Sequence, residues 1–215
     1  HGQKLILDEW HPVQFYSVLF DPILSLYRVF FGTTGIYLFA RELYVAVAFG
    51  TAMFLFFTLC RGCKPLTAFL SAALYLSYSR GNIWGISYYN LFLTLCLLFA
   101  CLTARGREGK KLPNLFAGVC LAGAVLCVPY FALFVIPGLI VGLCVRRTRK
   151  SALWSTFGVC LPAAAFLIFF LPKDIPAVLA NLKEILSDPE HTDGPLAYLL
   201  AAVRDVKLLY LYETL

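Results

Sequence analysis

The chain has 215 residues, of which 60% are hydrophobic and 14% charged, with a mean hydropathy of +0.79; a soluble domain carries about 45–50% apolar and about 25% charged residues. Its net charge of +6 would suit a nucleic acid only if it covered one face. Most of the cations instead fall in three short clusters between apolar runs, which is a membrane-topology pattern. The fold class expected is therefore all-α, a polytopic transmembrane helical bundle with extracytoplasmic juxtamembrane helices.

The chain begins at His1 without the charged, apolar and small-residue regions of a signal peptide. It ends on Leu-Tyr-Glu-Thr-Leu and reads as a piece of a longer protein. Residues 1–41 are expected to form an extracytoplasmic loop. Within it, Leu7-Asp8-Glu9-Trp10-His11 sets two adjacent carboxylates on a polar approach to the first apolar run. Pro12 to Phe31 is apolar with sparse polar positions and predicts two short interfacial helices joined near Asp21-Pro22, since aspartate caps helices and proline suits a first turn. Gly32-Thr33-Thr34-Gly35 follows.

Residues 42–171 hold six apolar runs, about Glu42 to Cys60, Pro65 to Ser79, Tyr88 to Ala104, Asn114 to Val128, Tyr130 to Val145 and Ser151 to Leu171. Several fall short of the roughly 20 residues that cross about 30 Å of hydrocarbon, so they need tilt or a thinned bilayer. Asn114 to Val145 reads as two helices with a tight turn at Val128-Pro129-Tyr130, because a single helix would be interrupted by Pro129. Charge agrees. Arg105, Arg107, Lys110 and Lys111 precede the pair and Arg146, Arg147, Arg149 and Lys150 follow it, and only an even number of crossings puts both clusters on one side. By the positive-inside rule that side, with Arg61 and Lys64, is the cytoplasm. Ten of the twelve carboxylates then lie outside, leaving Glu108 inside and Glu42 near the outer start of a run.

Residues 172–215 form a second outer segment. Ile175, Val178, Leu179, Leu182, Ile185 and Leu186 have helical spacing, and the turn-rich Ser187 to Pro195 separates them from a last amphipathic or membrane-returning stretch.

Of eight cysteines, Cys96, Cys101, Cys120, Cys127, Cys144 and Cys160 lie in or at the ends of apolar helices and read as small packing residues. Cys60-Arg61-Gly62-Cys63 has redox or half-zinc spacing but no second pair and no nearby histidine. No Gly-rich phosphate loop, nucleophile elbow or His-Glu-x-x-His is present. The outer acidic pair remains. A general base must reach an acceptor hydroxyl, and a partly desolvated carboxylate beside a second one has its pKa raised toward useful values, which makes Asp8 and Glu9 the catalytic candidates. The bland account is that the pair solvates and caps a helix. Arg28, Arg41 and Arg80 are candidates for binding a lipid-linked phosphate, with Lys4 and Lys173 as further cations; for Arg28 and Arg41 taken singly, snorkelling from an interfacial helix or pairing with Glu42 is the better account. Trp10, His11, Trp84 and Tyr89, with Tyr16 and Tyr88, could line a sugar or lipid site, against the default of an interfacial aromatic belt.

These elements resemble the polytopic GT-C glycosyltransferases, in particular bacterial relatives of protein mannosyltransferases and lipid A aminoarabinose transferases. The resemblance rests on Asp8-Glu9 in the first outer loop, the proline-bearing segment from His11 to Phe31, Gly32 followed by Arg41 at a span entrance, and the small-residue run Phe116 to Leu126 with Pro129. It covers about Gly2 to Leu171. It implies an inner-membrane enzyme whose first transmembrane helix precedes His1 and whose further spans follow Leu215, inactive as this piece alone. It also implies a polyprenyl-phosphate sugar donor, a lipid, glycan or protein acceptor, and Asp8 as the base of an inverting transfer on the outer face with Glu9 beside it. No nucleic acid is involved. A divalent metal is compatible with Asp8, Glu9 and His11, but one short cluster does not establish it. Two departures leave the donor open: His11-Pro12-Val13 stands where many relatives have a Lys-Pro-Pro-like run, and Tyr88-Tyr89-Asn90 lacks an acidic residue. A transporter or lipid flippase predicts ionisable residues at mid-membrane, which these runs nearly lack, and a non-catalytic assembly subunit would make Asp8 a mere cap.

Overall fold

The computed structural model describes residues 14–78, 85–106, 109–169 and 175–187. The chain divides into two units, Pro12–Leu171 and a second made of His1–His11 with Pro172–Leu215. Every regular element among the described residues is helical: α1 Ser17–Phe31, α2 Ile36–Leu59, α3 Pro65–Ser77, α4 Tyr88–Arg105, α5 Lys111–Cys127, α6 Ala132–Cys144, α7 Arg149–Phe169 and, in the second unit, α8 Ile175–Ser187. A 3-10 turn, Gln14–Tyr16, leads into α1 and another, Pro129–Phe131, joins α5 to α6. Three helices, Ile36–Leu59, Tyr88–Arg105 and Arg149–Ile168, are long and apolar enough to cross a membrane; Pro65–Ser77, Lys111–Cys127 and Pro129–Cys144 are apolar but shorter.

The predicted runs and the observed helices coincide closely, with two differences. The segment before Gly32 is one helix, where two had been predicted. Pro22 lies within α1, and since it sits only one turn past the start it removes a single backbone donor there, too little to divide an otherwise apolar helix. The second difference is the start of α2, which begins at Ile36 where the sequence suggested Glu42. Gly35, in the left-handed region at φ 72°, releases the chain directly into Ile36–Ala40, and the charged Arg41-Glu42 pair does not break a helix. Arg41 is thus an exposed residue of the helix proper.

The corner between α1 and α2 is closed by Tyr27, whose hydroxyl donates to the Thr34 carbonyl at 2.8 Å and whose ring stacks on Phe39 with centroids 4.3 Å apart. Gly35 serves this corner twice: its positive φ is open to glycine, and a Cβ there would stand 3.2 Å from the Tyr27 hydroxyl. Pro65 at the first turn of α3, after an extended Lys64, and Ser87, whose side chain accepts from Asn90 N at 3.2 Å at the start of α4, mark the other helix starts.

Burial in the first unit runs opposite to that of a soluble bundle. The buried residues are mostly small, including Ala48, Ala52, Ala68, Ala72, Ala117 and Ala124, whereas Phe49, Phe57, Phe69, Leu74, Phe134 and Phe157 are exposed. Large apolar side chains turned outward over small inward ones is the distribution that hydrocarbon favours, because helices in lipid associate through close backbone packing. One core cluster joins α2, α3 and α4 through Tyr44, Ala48, Ala52, Leu55, Ala72, Tyr75 and Cys101. A second joins α1 to α4 and α5 through Phe20, Leu91 and Cys127.

The tightest seam lies between α5 and α7. Gly118 and Gly158 face each other so closely that a Cβ on Gly118 would stand 2.8 Å from Gly158 Cα, and one on Gly158 would stand 2.9 Å from Gly118 Cα. Any larger residue would also overlap the opposing carbonyl, of Ser155 or Leu115 respectively. Gly158→Leu should therefore lower unfolding stability in mixed micelles by about 3 kcal/mol or prevent folding, as expected for overpacking against backbone. Gly50→Ala, at a helical position with nothing within 4 Å of an added Cβ, should stabilise by about 0.5–1 kcal/mol.

Candidate functional site

The catalytic candidates Asp8 and Glu9, with Trp10 and His11, lie outside the described residues, as do Arg80 and Trp84. Among the predicted site residues within them, Arg28 is exposed on the last turn of α1, Arg41 is exposed on α2, and Tyr89 is exposed on the first turn of α4. Tyr89 belongs to an aromatic group. Its ring lies 3.8 Å from that of Tyr88, and Tyr88 in turn lies 6.2 Å from Tyr16 in the turn that precedes α1. The start of α4 and the turn that precedes α1 are thereby drawn together, with Tyr16 and Tyr88 packed on the cluster around Phe20, Leu91 and Cys127. Neither arginine joins this group or lines the clefts described next.

Two clefts, each of about 350 Å³, open in the first unit. The first lies between α5, α6 and α7 and is lined only by apolar side chains, among them Val125, Pro129, Ile136, Pro162 and Phe166, together with Phe15 from the turn that precedes α1. Phe15 meets Phe166 edge to face at 5.5 Å. The second is bounded by α4, α5, α6 and α7 and changes character along its length, from Leu121, Phe131 and Phe134 to Thr103, Asn114, Thr148, Ser151 and Ser155.

Around the polar end, side chains tie loops together. The Asn114 amide donates to the carbonyls of Gly106 at 2.9 Å and Lys110 at 2.8 Å, holding the turn between α4 and α5 against α5 itself. From α7, the Ser155 hydroxyl donates to Asn114 O at 3.1 Å and the Ser151 hydroxyl to Gly106 O at 3.4 Å. The turn after α4 and the turn before α7 therefore meet, which brings Lys110 and Lys111 to the same end of the bundle as Arg149 and Lys150. Arg105 extends this end to α2: its Nε donates to Thr58 Oγ1 at 2.9 Å and its guanidinium lies 4.1 Å over the Phe54 ring.

A separate polar contact lies in the core of α2, α3 and α4. Tyr75 and Thr94 share a hydrogen bond of 2.8 Å, and Thr94 Oγ1 is 2.8 Å from the Asn90 carbonyl. If the threonine donates to that carbonyl, the tyrosine donates to the threonine. Neither residue, nor Asn114 or Ser155, stood out in the sequence; the available signal was that each is a hydrogen-bonding side chain on an otherwise apolar helix. All eight cysteines are free thiols. Cys101 and Cys127 are buried, as packing residues would be, whereas Cys144 and Cys160 are exposed and so do not pack inside the bundle. No group of three His, Cys, Asp or Glu residues among the described residues could hold a metal ion.

No known family, no curated protein and no solved structure matches this chain.

Tyr75→Phe should cost about 1 kcal/mol, because it removes one net hydrogen bond and leaves Thr94 its carbonyl partner. Thr94→Val should cost about 1 kcal/mol as well, because Thr51 still hydrogen-bonds the tyrosine hydroxyl. Unfolding titrations of the two variants in mixed micelles check both costs.

Proposed function

We propose that this chain is part of a GT-C type membrane glycosyltransferase, which transfers a sugar from a polyprenyl-phosphate donor to an acceptor hydroxyl on the side opposite the basic loops. The observation that carries the reading is the wholly apolar cleft between α5, α6 and α7, whose lining includes Phe15 of the turn before α1. A polyisoprenoid chain needs a branched, apolar slot open toward lipid, and this cleft has that chemistry. Supporting it are the outward-facing large apolar side chains, the juxtamembrane helix α1 packed on α4 and α5, and the common end shared by the basic loops. In this reading α2 to α7 make six crossings, the three shorter helices spanning a locally thinned or tilted bilayer.

The chemistry follows from the residue types. Asp8 removes the proton of the acceptor hydroxyl as its oxygen attacks the anomeric carbon. The bond to the phosphate oxygen breaks, inverting that carbon, and polyprenyl phosphate leaves as an anion. Glu9, beside Asp8 in the sequence, raises the basicity of its neighbour by like-charge repulsion. Arg28, Arg41 and Arg80 are the cations available to the departing phosphate.

The test is transfer of labelled sugar from polyprenyl-phosphate donors by the complete protein in membranes. Asp8→Asn should abolish transfer, by about 10²-fold or more, at unchanged expression. Equal transfer by the variant removes Asp8 from the mechanism. Absence of transfer from every donor, with export of a lipid or assembly of a complex instead, favours a flippase or a non-catalytic subunit.

A further inference from the structure

The second cleft has a shape and a graded polarity that the sugar-transfer reading leaves unused. It lies among α4, α5, α6 and α7, apolar where Leu121, Phe134 and Val135 line it and hydroxyl- and amide-lined where Thr148, Ser151 and Ser155 do. Its polar end coincides with the junction of the two basic turns. Thr148 and Ser151 bracket Arg149 and Lys150, and Thr103 lies two residues before Arg105. Gly109 of the opposite turn abuts the Lys150 side chain, so that a Cβ there would stand 3.5 Å from Lys150 Cβ. Lys110, Lys111, Arg146, Arg147, Arg149 and Lys150 are all exposed around this junction. From residue 103 to residue 169 the sequence holds eight Lys and Arg residues and one carboxylate, Glu108, so the net charge of these elements is strongly positive.

We propose that this cleft binds one anionic phospholipid of the leaflet facing the basic turns, its acyl chain along the apolar part and its phosphate at the junction of the two turns. Charge complementarity selects this occupant. An apolar slot alone would take any acyl chain, but a slot that ends in polar side chains beneath six exposed cations discriminates by headgroup charge, as basic pockets between transmembrane helices do. Bound there, the lipid bridges the turn after α4 to the turn before α7 and holds α6 between them. The proposal requires the chain to sit in a bilayer and is independent of the catalytic reading, because the apolar cleft containing Phe15 is a separate one.

The full chain in detergent is titrated with spin-labelled phosphatidylglycerol and, separately, with spin-labelled phosphatidylcholine, and the immobilised fraction is read. Phosphatidylglycerol should be retained about tenfold or more in preference. Arg146→Gln and Arg147→Gln should each weaken it by about fivefold. Gly138→Leu is the decisive variant. Gly138 lines the cleft, and an added Cβ there meets nothing within 4 Å, so leucine fills the slot without straining the fold and leaves every cation in place. It should abolish the headgroup preference at an unchanged unfolding midpoint, whereas Gly50→Leu, open but away from the cleft, should not. Equal retention of the two lipids overturns the proposal, as does full retention by Gly138→Leu, which would mean a diffuse basic surface. Displacement of phosphatidylglycerol by equimolar polyprenyl phosphate also overturns it, assigning the cleft to a lipid-linked substrate.

Discussion

The backbone contact between Gly118 and Gly158 governs the arrangement of the bundle. With no side chain on either residue, α5 and α7 approach until glycine Cα meets glycine Cα, and the carbonyls of Leu115 and Ser155 occupy the space that Cβ atoms would need. That proximity is what lets a side chain as short as serine reach across: Ser155 bonds the Asn114 carbonyl, and Ser151 reaches Gly106 beyond it. A wider seam would leave both hydroxyls without these partners and would separate the turns they join. In a setting where burying apolar surface gives no advantage over lipid, such dispersion contacts and short hydrogen bonds are the forces available to hold helices together.

From this seam the two ends of the bundle acquire different characters. One gathers cations, because the turn after α4 and the turn before α7 are pulled onto α5, while Arg105 bonds Thr58 and covers Phe54. The other gathers aromatic rings, Tyr16, Tyr88 and Tyr89, where the juxtamembrane segment comes down on the start of α4. Basic turns at one end and a tyrosine group at the other suit a bilayer, whose anionic surface and interfacial layer favour those two kinds of side chain. The two clefts follow the same polarity. The apolar one is lined in part by Phe15 of the turn before α1, and the mixed one has its polar lining at the cationic end.

Most of the helical pattern was legible in the sequence. The break at Pro129 was readable because proline lacks the donor a continuous helix needs. Two starts and stops were misread for one reason: Asp21-Pro22 and Arg41-Glu42 look like punctuation. A helix nevertheless continues through a single missing hydrogen bond near its start, and through charges that can turn outward. The candidate site was less legible. Asp8 and Glu9 were chosen by chemistry and lie outside the described residues, whereas Asn114, Ser155, Tyr75 and Thr94 matter through partners 19 to 41 residues away or across a turn, which no local pattern displays.

By itself, then, the amino-acid sequence determined the helical class, the number of apolar helices and their approximate ends. Each of these depends on composition, period or turn chemistry within a short window. Only the tertiary structure decided which helices are neighbours, that α5 is held between α4 and α7, that Gly118 meets Gly158, and that two clefts of different polarity result. Glycine, serine and alanine on an apolar helix are compatible with facing lipid or a neighbour. The choice is made by the depth to which two backbones can approach, a property of both helices at once.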